Sequence, residues 1–229
     1  LARAAAAELV LAELGNLKRG TLLVQASQTI ASYWLPRHLV AFHRAHPGID
    51  IRLSTGNTAQ VAAAVHEGIA ELGFVEGAVN DPVLHSTRVA RDQLVVVVGP
   101  DHPWVGQERV EPAELADSEW VLREPGSGTR SAFEAALEGF GVPAATLTVS
   151  LELPSNEAVR AAVEAGMGAT AISASVAAPG IEVGLLHRVA LALPERDFHV
   201  LRHAARYRSR AADALLAVIA GPVRPAAAK

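Results

Sequence analysis

The stretch TLLVQASQT at residues 21–29 joins an apolar run to a Ser-x-Thr motif that opens a helical pattern. A second stretch, WVLREPGSGT at residues 120–129, has the same form and also leads into a helical pattern. The first turn of a helix presents unpaired backbone N–H groups and a partial positive charge. Serine and threonine hydroxyls add further hydrogen-bonding groups there. Two such helix starts, one in each half of the chain, predict two walls of one anion-binding cleft.

The apolar runs are spaced in nearly the same way in both halves. Strand-like runs begin near residues 21, 49 and 72, and again near residues 120, 147 and 169. The intervals are 28 and 23 residues in the first half and 27 and 22 in the second, and a helical pattern fills each of them. Each half therefore predicts a β-α-β-α-β unit with a largely parallel sheet, which makes the fold class α/β with two Rossmann-like lobes.

Two crossings between the halves are expected. Residues 94–98 read as a central strand that Gly99 and Pro100 end, and residues 198–201 read as a strand that returns to the first half. We therefore predict a two-strand hinge. Residues 20–98 and 194–229 would form a discontinuous lobe I, residues 99–193 would form lobe II, and residues 1–19 would form a preceding helix.

Composition narrows the function classes. Half of the 229 residues are hydrophobic but only 4% are aromatic, so the cores are built from alanine, valine and leucine. The net charge of −4, without a basic block, does not resemble a nucleic-acid-binding surface. The chain has no cysteine, which excludes disulfides and thiolate metal sites and fits a reducing compartment. No apolar run approaches the roughly 20 residues of a membrane span.

Four short segments carry a family resemblance. They are, in order, ASQTIASYWLP at residues 26–36, FHRAHP at 42–47, VHEGIAELGFVE at 65–76 and EAGMGA at 164–169. Together they resemble the effector-binding (regulatory) domain of LysR-type transcriptional regulators. The segment LREPGSGTR at residues 122–130 is similar to the branch that contains regulators of carbon-dioxide fixation and of sulfur or nitrogen assimilation.

The resemblance implies a fold, an assembly and a role. The fold is of the type 2 periplasmic-binding-protein-like class, and the effector binds between the lobes. Residues 1–19 look like the end of the linker helix that joins this domain to a DNA-binding winged helix-turn-helix, which this chain lacks. The resemblance also implies a cytoplasmic homodimer or homotetramer, with lobe I of one chain against lobe II of its partner. Members of the branch respond to small anions or to phosphorylated and nucleotide metabolites, so we expect an anionic effector.

The two Ser-x-Thr motifs supply the main candidate ligand residues. The residues alone favour helix capping for Ser27, Gln28 and Thr29, whereas the resemblance favours contact with the effector. The second motif could be a tight turn with a surface arginine, but its glycines also allow close approach of a ligand, and an arginine adds a fixed positive charge. Its candidate residues are Ser127, Gly128, Thr129 and Arg130.

Further candidates lie at the second helix of each half and at two strand ends. Thr58, Ser155 and Asn156 open those helices at matching positions, where capping and ligand contact are equally good explanations. Glu76 and Glu124 could bind a cationic or hydroxyl group of the effector, or could instead hold Arg130 or Arg123 in place. We prefer the second role for an anionic effector, because a free buried carboxylate would repel it.

Nothing in the sequence predicts catalysis, a metal site or a cofactor. The Gly126-Ser127-Gly128 sequence does not match the G-x-S-x-G motif of serine hydrolases, and the histidine pairs lack acidic residues at metal-binding spacing. The fold class also occurs in periplasmic or extracellular solute-binding proteins and in some enzymes. Of these alternatives we favour a ligand sensor that controls DNA binding and transcription.

Overall fold

The computed structural model describes residues 20–77 and 79–221 of the chain. The predicted linker helix over residues 1–19 lies outside these residues, as do the last residues of the predicted lobe I. The described chain is a mixed α/β fold of six α-helices and nine strands, which matches the predicted class. No helix in residues 20–77 and 79–221 is long and apolar enough to cross a membrane.

The first half contributes three strands and two helices, in the predicted order. They are β1 (Gly20–Ser27), a π-helical turn (Ile30–Trp34), α1 (Leu35–Ala45), β2 (Ile49–Gly56), α2 (Thr58–Glu67) and β3 (Leu72–Glu76). The strand β1 lies between β2 and β3 and pairs with both in parallel. The helical pattern that the first Ser-x-Thr motif opens begins with the π-helical turn, and Pro36 lies in the first turn of α1.

A 15-residue strand, β4 (Leu84–Val98), connects the two halves. Residues 84–93 pair antiparallel with the returning strand, and residues 94–98 pair with a strand of the second half. The predicted start at residue 94 was therefore wrong. The first part of β4 has exposed polar side chains such as His85 and Arg88, so it lacks the apolar run by which strands were recognised.

The second half repeats the arrangement of the first. It contains short 3-10 helices (Pro112–Asp117 and Ala144–Thr146), β5 (Glu119–Arg123), α3 (Gly128–Gly139), β6 (Thr148–Leu153), α4 (Asn156–Glu164) and β7 (Ala169–Ser173). The strand β5 pairs in parallel with β6 and β7. Next come α5 (Ala174–Glu182) and the two-residue strand β8 (His187–Arg188). The sequence analysis missed α5, whose small residues and internal Pro179 hide its helical period.

The chain then returns to the first half through β9 (Glu195–His203) and ends in α6 (Arg210–Ala220). The predicted returning strand at residues 198–201 is the centre of β9, which lies between β3 and β4. The strands β4 and β9 thus form the two-strand hinge. The lobe boundaries stay a prediction, and strand pairing favours a crossing within β4, after Gln93, over one at 98/99.

Each lobe buries its own apolar core. In lobe I, Leu22, Phe42 and Phe74 belong to a cluster that α1 and α6 cover. In lobe II, Trp120 and Phe133 are fully buried in a separate cluster, and the Trp120 indole N–H donates to the Leu115 carbonyl at 2.8 Å. Because each lobe is packed on its own, polar groups at the facing helix starts can form the contacts between them.

Candidate functional site

The starts of four helices meet where the lobes face each other. In lobe I these are the π-helical turn that leads into α1 and the start of α2, and in lobe II they are α3 and α4. The Gly126 carbonyl, just before α3, accepts a hydrogen bond of 3.3 Å from the backbone N–H of Ala59 in the first turn of α2. The two Ser-x-Thr motifs thus lie on facing walls of the two lobes, which touch in this structure; binding of an anion between them stays a prediction.

The second helix of each half is capped by the residue before its first turn. The Asn57 side chain accepts from the Gln60 N–H at 3.0 Å and forms a capping box, and the Ser155 hydroxyl accepts from the Ala158 N–H at 3.0 Å. Of the two explanations given for Ser155, capping is therefore the one that this hydrogen bond supports. Thr58 and Asn156 are the first helical residues, so their side chains remain available for other contacts.

One polar network crosses the cleft twice. The Asn156 amide donates to the Thr29 hydroxyl at 3.0 Å, and the Arg123 guanidinium donates to the Asn156 side-chain oxygen at 2.6 Å. Arg123 binds both oxygens of Glu124, at 2.8 and 2.9 Å, and Glu124 accepts from the Asn57 amide at 3.3 Å. The network thus begins and ends in lobe I and passes through lobe II.

Glu124 orients Arg123, which was one of its two predicted roles. Burial raises the pKa of the Glu124 carboxyl. The hydrogen bonds from Arg123 and Asn57 and the charge of Arg123 together lower it by more, so that the pKa lies below its usual value. Glu124 is therefore charged at neutral pH and neutralises a nearly buried arginine. This pair adds no net charge to the cleft.

Gln28 joins the same walls with its side chain. Its amide oxygen accepts from the Asn156 backbone N–H at 3.0 Å, and its amide nitrogen donates to the Pro154 carbonyl at 3.2 Å. The first backbone N–H of α4, one of the unpaired groups of a helix start, is thereby bound by a side chain of the opposite lobe.

Arg130 is engaged outside this network. Its guanidinium binds Glu134 at 2.8 Å, Glu152, and the Arg123 carbonyl at 3.0 Å. Burial lowers the pKa of Arg130, but the two glutamates raise it by more. One alternative was that Glu76 or Glu124 holds Arg130 in place. Neither glutamate contacts Arg130 in this way. The bonds that Arg130 makes engage its Nε and Nη1 atoms and leave the Nη2 donors for an effector.

A second buried network, which no pattern in the sequence indicated, lies at the hinge. Asp92 of β4 and Arg196 of β9 are direct cross-strand neighbours, and the Arg196 Nε donates to Asp92 at 2.8 Å. The Ser173 hydroxyl donates to Asp92 at 2.7 Å, and Arg196 donates to the Thr129 hydroxyl at 3.0 Å. This network links both hinge strands to the starts of α3 and α5. The sequence shows Asp92 and Arg196 near the two crossings, but it does not show that β4 and β9 pair so that these two residues are neighbours.

Glu76 and Thr58 of lobe I press against the start of α3. The Thr58 hydroxyl donates to Glu76 over a long 3.4 Å. A Cβ on Gly128 would lie 2.5 Å from the Thr58 hydroxyl and 2.9 Å from the Glu76 Oε2 atom. Glycine is therefore required at position 128 by the opposite lobe, in addition to any role in ligand approach.

The hydroxyls of the Ser-x-Thr motifs do not act as helix caps. Thr29 and Ser127 stand at the N-cap positions, and neither makes a side-chain capping hydrogen bond. Both threonines accept bonds across the cleft or from the hinge, as described above. The Ser27 hydroxyl is buried and has no hydrogen-bond partner within residues 20–77 and 79–221. Such a group costs free energy, and it points to a missing partner.

With this geometry in place, comparison with known proteins identifies the family. Residues 15–221 match the LysR substrate binding domain family. The chain belongs to this family. The family is a ligand-binding domain of transcriptional regulators and not an enzyme family, which excludes the enzyme alternative for this domain.

Individual relatives agree with this assignment. A probable RuBisCO transcriptional regulator of Guillardia theta is 30% identical over 88% of this chain and 66% of its own length. An uncharacterized HTH-type transcriptional regulator of Mycobacterium tuberculosis is 40% identical over 76% of this chain and 59% of its own length. The chain thus spans somewhat less than two thirds of these relatives.

A solved structure gives the same fold with a ligand. The regulatory domain of CcmR from Synechocystis PCC6803, in complex with 2-PG, superposes with a TM-score of 0.79 at 26% identity. The match covers 88% of this chain and 96% of that domain. This similarity confirms the predicted type 2 periplasmic-binding-protein-like fold and the effector-binding class of the domain.

Proposed function

We propose that this domain binds a small anionic metabolite in the cleft between its lobes and so controls transcription in the full-length protein. The bound effector would interact with the start of the π-helical turn that precedes α1 and with the start of α3, where backbone N–H groups and partial positive charge favour an anion. The proposed contacts are those predicted from the sequence, namely Ser27, Gln28, Thr29, Thr58, Glu76, Glu124, Ser127, Gly128, Thr129, Arg130, Ser155 and Asn156.

The buried Ser27 hydroxyl is the observation that carries this proposal. It ends β1 at the carboxyl edge of the parallel sheet, which is where α/β folds place their ligands. Its neighbours Gln28 and Thr29 have partners across the cleft, whereas Ser27 has none in the described part of the chain. A ligand oxygen would satisfy it.

Effector binding would act through the hinge. An anion between the lobes must replace some of the contacts that Gln28, Asn156 and Gly126 make across the cleft, and this changes the relative orientation of the lobes. Such a change follows only if the effector binds one arrangement better than the other. In the full-length protein, a DNA-binding domain outside this chain would receive the change. A homodimeric or homotetrameric assembly in the cytoplasm completes the proposal.

A thermal-shift titration tests the proposal. The panel would contain 2-PG, the ligand bound to the CcmR domain, together with phosphate, sulfate and several carboxylates. We expect one anion to raise the melting temperature saturably. Ser27→Ala should keep or slightly increase the melting temperature without ligand, because it removes an unpaired hydroxyl, and should reduce the ligand-induced rise.

Ser118→Ala is the matched control. Ser118 is also buried, but its hydroxyl is bonded to His102 at 3.1 Å and to the Glu119 carbonyl at 3.2 Å. This variant should lose stability and keep the ligand response. An unchanged ligand response in Ser27→Ala would refute the role of Ser27, and the absence of a response to every anion would refute the anionic effector.

A further inference from the structure

The Glu76 carboxylate is an almost completely buried acid at the facing walls of the cleft. Its side chain is 2% exposed, and it ends β3 in lobe I. Its Oε2 atom would lie 2.9 Å from a Cβ on Gly128, the first residue of the 12-residue helix α3 in lobe II. The carboxylate therefore lies directly against the start of a helix of the opposite lobe.

The start of α3 has no side-chain cap of its own. Ser127 stands at the N-cap position without a capping hydrogen bond. A negative charge close to such a helix start is stabilising, because the first N–H groups carry partial positive charge. Glu76 brings a carboxylate of lobe I beside that start, next to the place where an anionic effector would be favoured.

Within residues 20–77 and 79–221, the partners of Glu76 are weak. Thr58 donates to it at 3.4 Å, and the Arg196 Nη2 atom lies 3.9 Å away. Arg196 is committed to Asp92, since its Nε atom donates to an Asp92 oxygen at 2.8 Å and its Nη2 atom lies 2.6 Å from the same oxygen. One positive and two negative side chains then leave a surplus negative charge in this cluster. The packing of lobe I against Gly128 of lobe II therefore fixes the position of this carboxylate more than its own hydrogen bonds do.

We propose that Glu76 acts as a resident anion at the start of α3, so that an effector binds there only in exchange for this carboxylate. This inference rests on the proposed anion-binding function and changes the expected role of Glu76 within it. An effector must displace the Glu76 carboxylate to reach α3. A ligand with a single carboxylate gives α3 little more than Glu76 already gives, whereas an anion with more charge or more acceptor oxygens gains by the exchange.

A charge-neutral replacement tests this role. Glu76→Gln keeps the shape of the side chain and removes the charge, and Glu76→Met removes it with a different group of similar length. The matched control is Glu67→Gln at the exposed end of α2, which makes the same change of charge away from the cleft. Inorganic phosphate and acetate are the probes, and isothermal titration calorimetry measures their affinity.

We expect both Glu76 variants to bind phosphate about tenfold more tightly than the unaltered chain, since a like charge next to a bound anion costs that much or more. The gain for acetate should be of similar size, so that acetate binding becomes measurable. Glu67→Gln should change either affinity less than about twofold, because charges of this kind are screened by salt. Melting curves without anion establish that each variant is folded.

The possible results separate this inference from the proposed function. Weaker or unchanged phosphate binding in both Glu76 variants would overturn it, and weaker binding would make Glu76 a direct ligand contact. An equal gain in Glu67→Gln would overturn it as well. If 2-PG binds the unaltered chain and neither Glu76 variant gains, the proposed function stands without this inference. If only the Glu76 variants bind anions, the resident anion is supported and the anionic effector of the natural chain is refuted.

Discussion

The two Ser-x-Thr helix starts have the same pattern in sequence but meet the opposite lobe in different ways. At residues 27–29 the middle position is Gln28, whose side chain reaches across to Pro154 and Asn156. At residues 127–129 the middle position is Gly128, which leaves room for Thr58 and Glu76 of lobe I. The first start extends a side chain and the second admits one.

The two helix starts therefore share an architecture but are complementary in shape. One carries a long side chain at its middle position and the other carries none. Two identical starts with long middle residues would collide, and two with glycines would leave the cleft without contacts. Because the interlobe contacts are polar and small in number, the balance between closed and open lobes can respond to a ligand that binds with ordinary affinity.

The largest expected effect is that of Gly128→Ala. The added methyl group would lie 2.5 Å from the Thr58 hydroxyl, so that the lobes would have to separate locally. We expect a loss of about 2–3 kcal/mol of stability, as in other overpacked sites, and a larger radius of gyration in small-angle X-ray scattering.

Gly139→Ala is its control, because a Cβ at the other end of α3 would meet no atom of the described residues within 4 Å. It should be neutral or stabilising by up to about 1 kcal/mol. Equal effects of the two substitutions would show that α3 itself, and not the opposite lobe, requires glycine at position 128.

Asn156→Ala should have the next largest effect. Asn156 is 1% exposed and connects Thr29 to Arg123, so its loss leaves buried groups of both lobes without a partner. We expect urea denaturation to show a loss of about 1–2 kcal/mol. Asn80→Ala, at an exposed position of lobe I, should change stability by less than about 0.5 kcal/mol. A loss at Asn156 no larger than that would mean that this network contributes nothing to closure.

Gln28→Ala should have a smaller effect than Asn156→Ala. Its two hydrogen bonds reach lobe II from a more exposed position, where water can replace them. We expect a loss of about 0.5–1 kcal/mol in the same urea measurement. A loss as large as that of Gly128→Ala would contradict the proposed difference between the two helix starts, in which Gln28 extends a side chain and Gly128 leaves room for side chains of lobe I.

The smallest effect should be a pH dependence that separates the network through Glu124 from the bonds of Gln28. The pKa of Glu124 is lowered in the folded chain, so its stabilising charge is present above the unfolded pKa of about 4.3 and is lost as the pH falls through the folded value. The stability difference between the unaltered chain and Glu124→Gln should therefore shrink below about pH 4.

The corresponding difference for Gln28→Ala should not change over the same range, because neither Gln28 nor its backbone partners titrate. Thermal denaturation between pH 7 and pH 3 would measure both differences. A constant difference for Glu124→Gln would show that the ion pair with Arg123 does not contribute to folding stability.

The alternation of apolar runs and helical patterns determined most of the architecture. The predicted starts at residues 21, 49, 72, 120, 147 and 169 lie within one residue of β1, β2, β3, β5, β6 and β7. The strands β3, β5 and β7 are buried almost throughout, whereas β2 and β6 are largely exposed and carry apolar residues only in alternation. The first part of β4 and the helix α5 could not be recognised in this way, because β4 is polar there and α5 is rich in small residues.

The sequence by itself determined the two α/β lobes, the helix starts that face each other and the family to which they belong, because these depend on local periodicity and on ordered motifs. Only the tertiary structure decided which polar groups meet. It paired Asp92 with Arg196 across the hinge, turned Arg130 towards Glu134 and Glu152, left Ser27 without a partner in the described residues and brought Glu76 to Gly128. Such contacts join residues far apart in the chain, and their register is fixed by the packing of whole lobes, which no local pattern specifies.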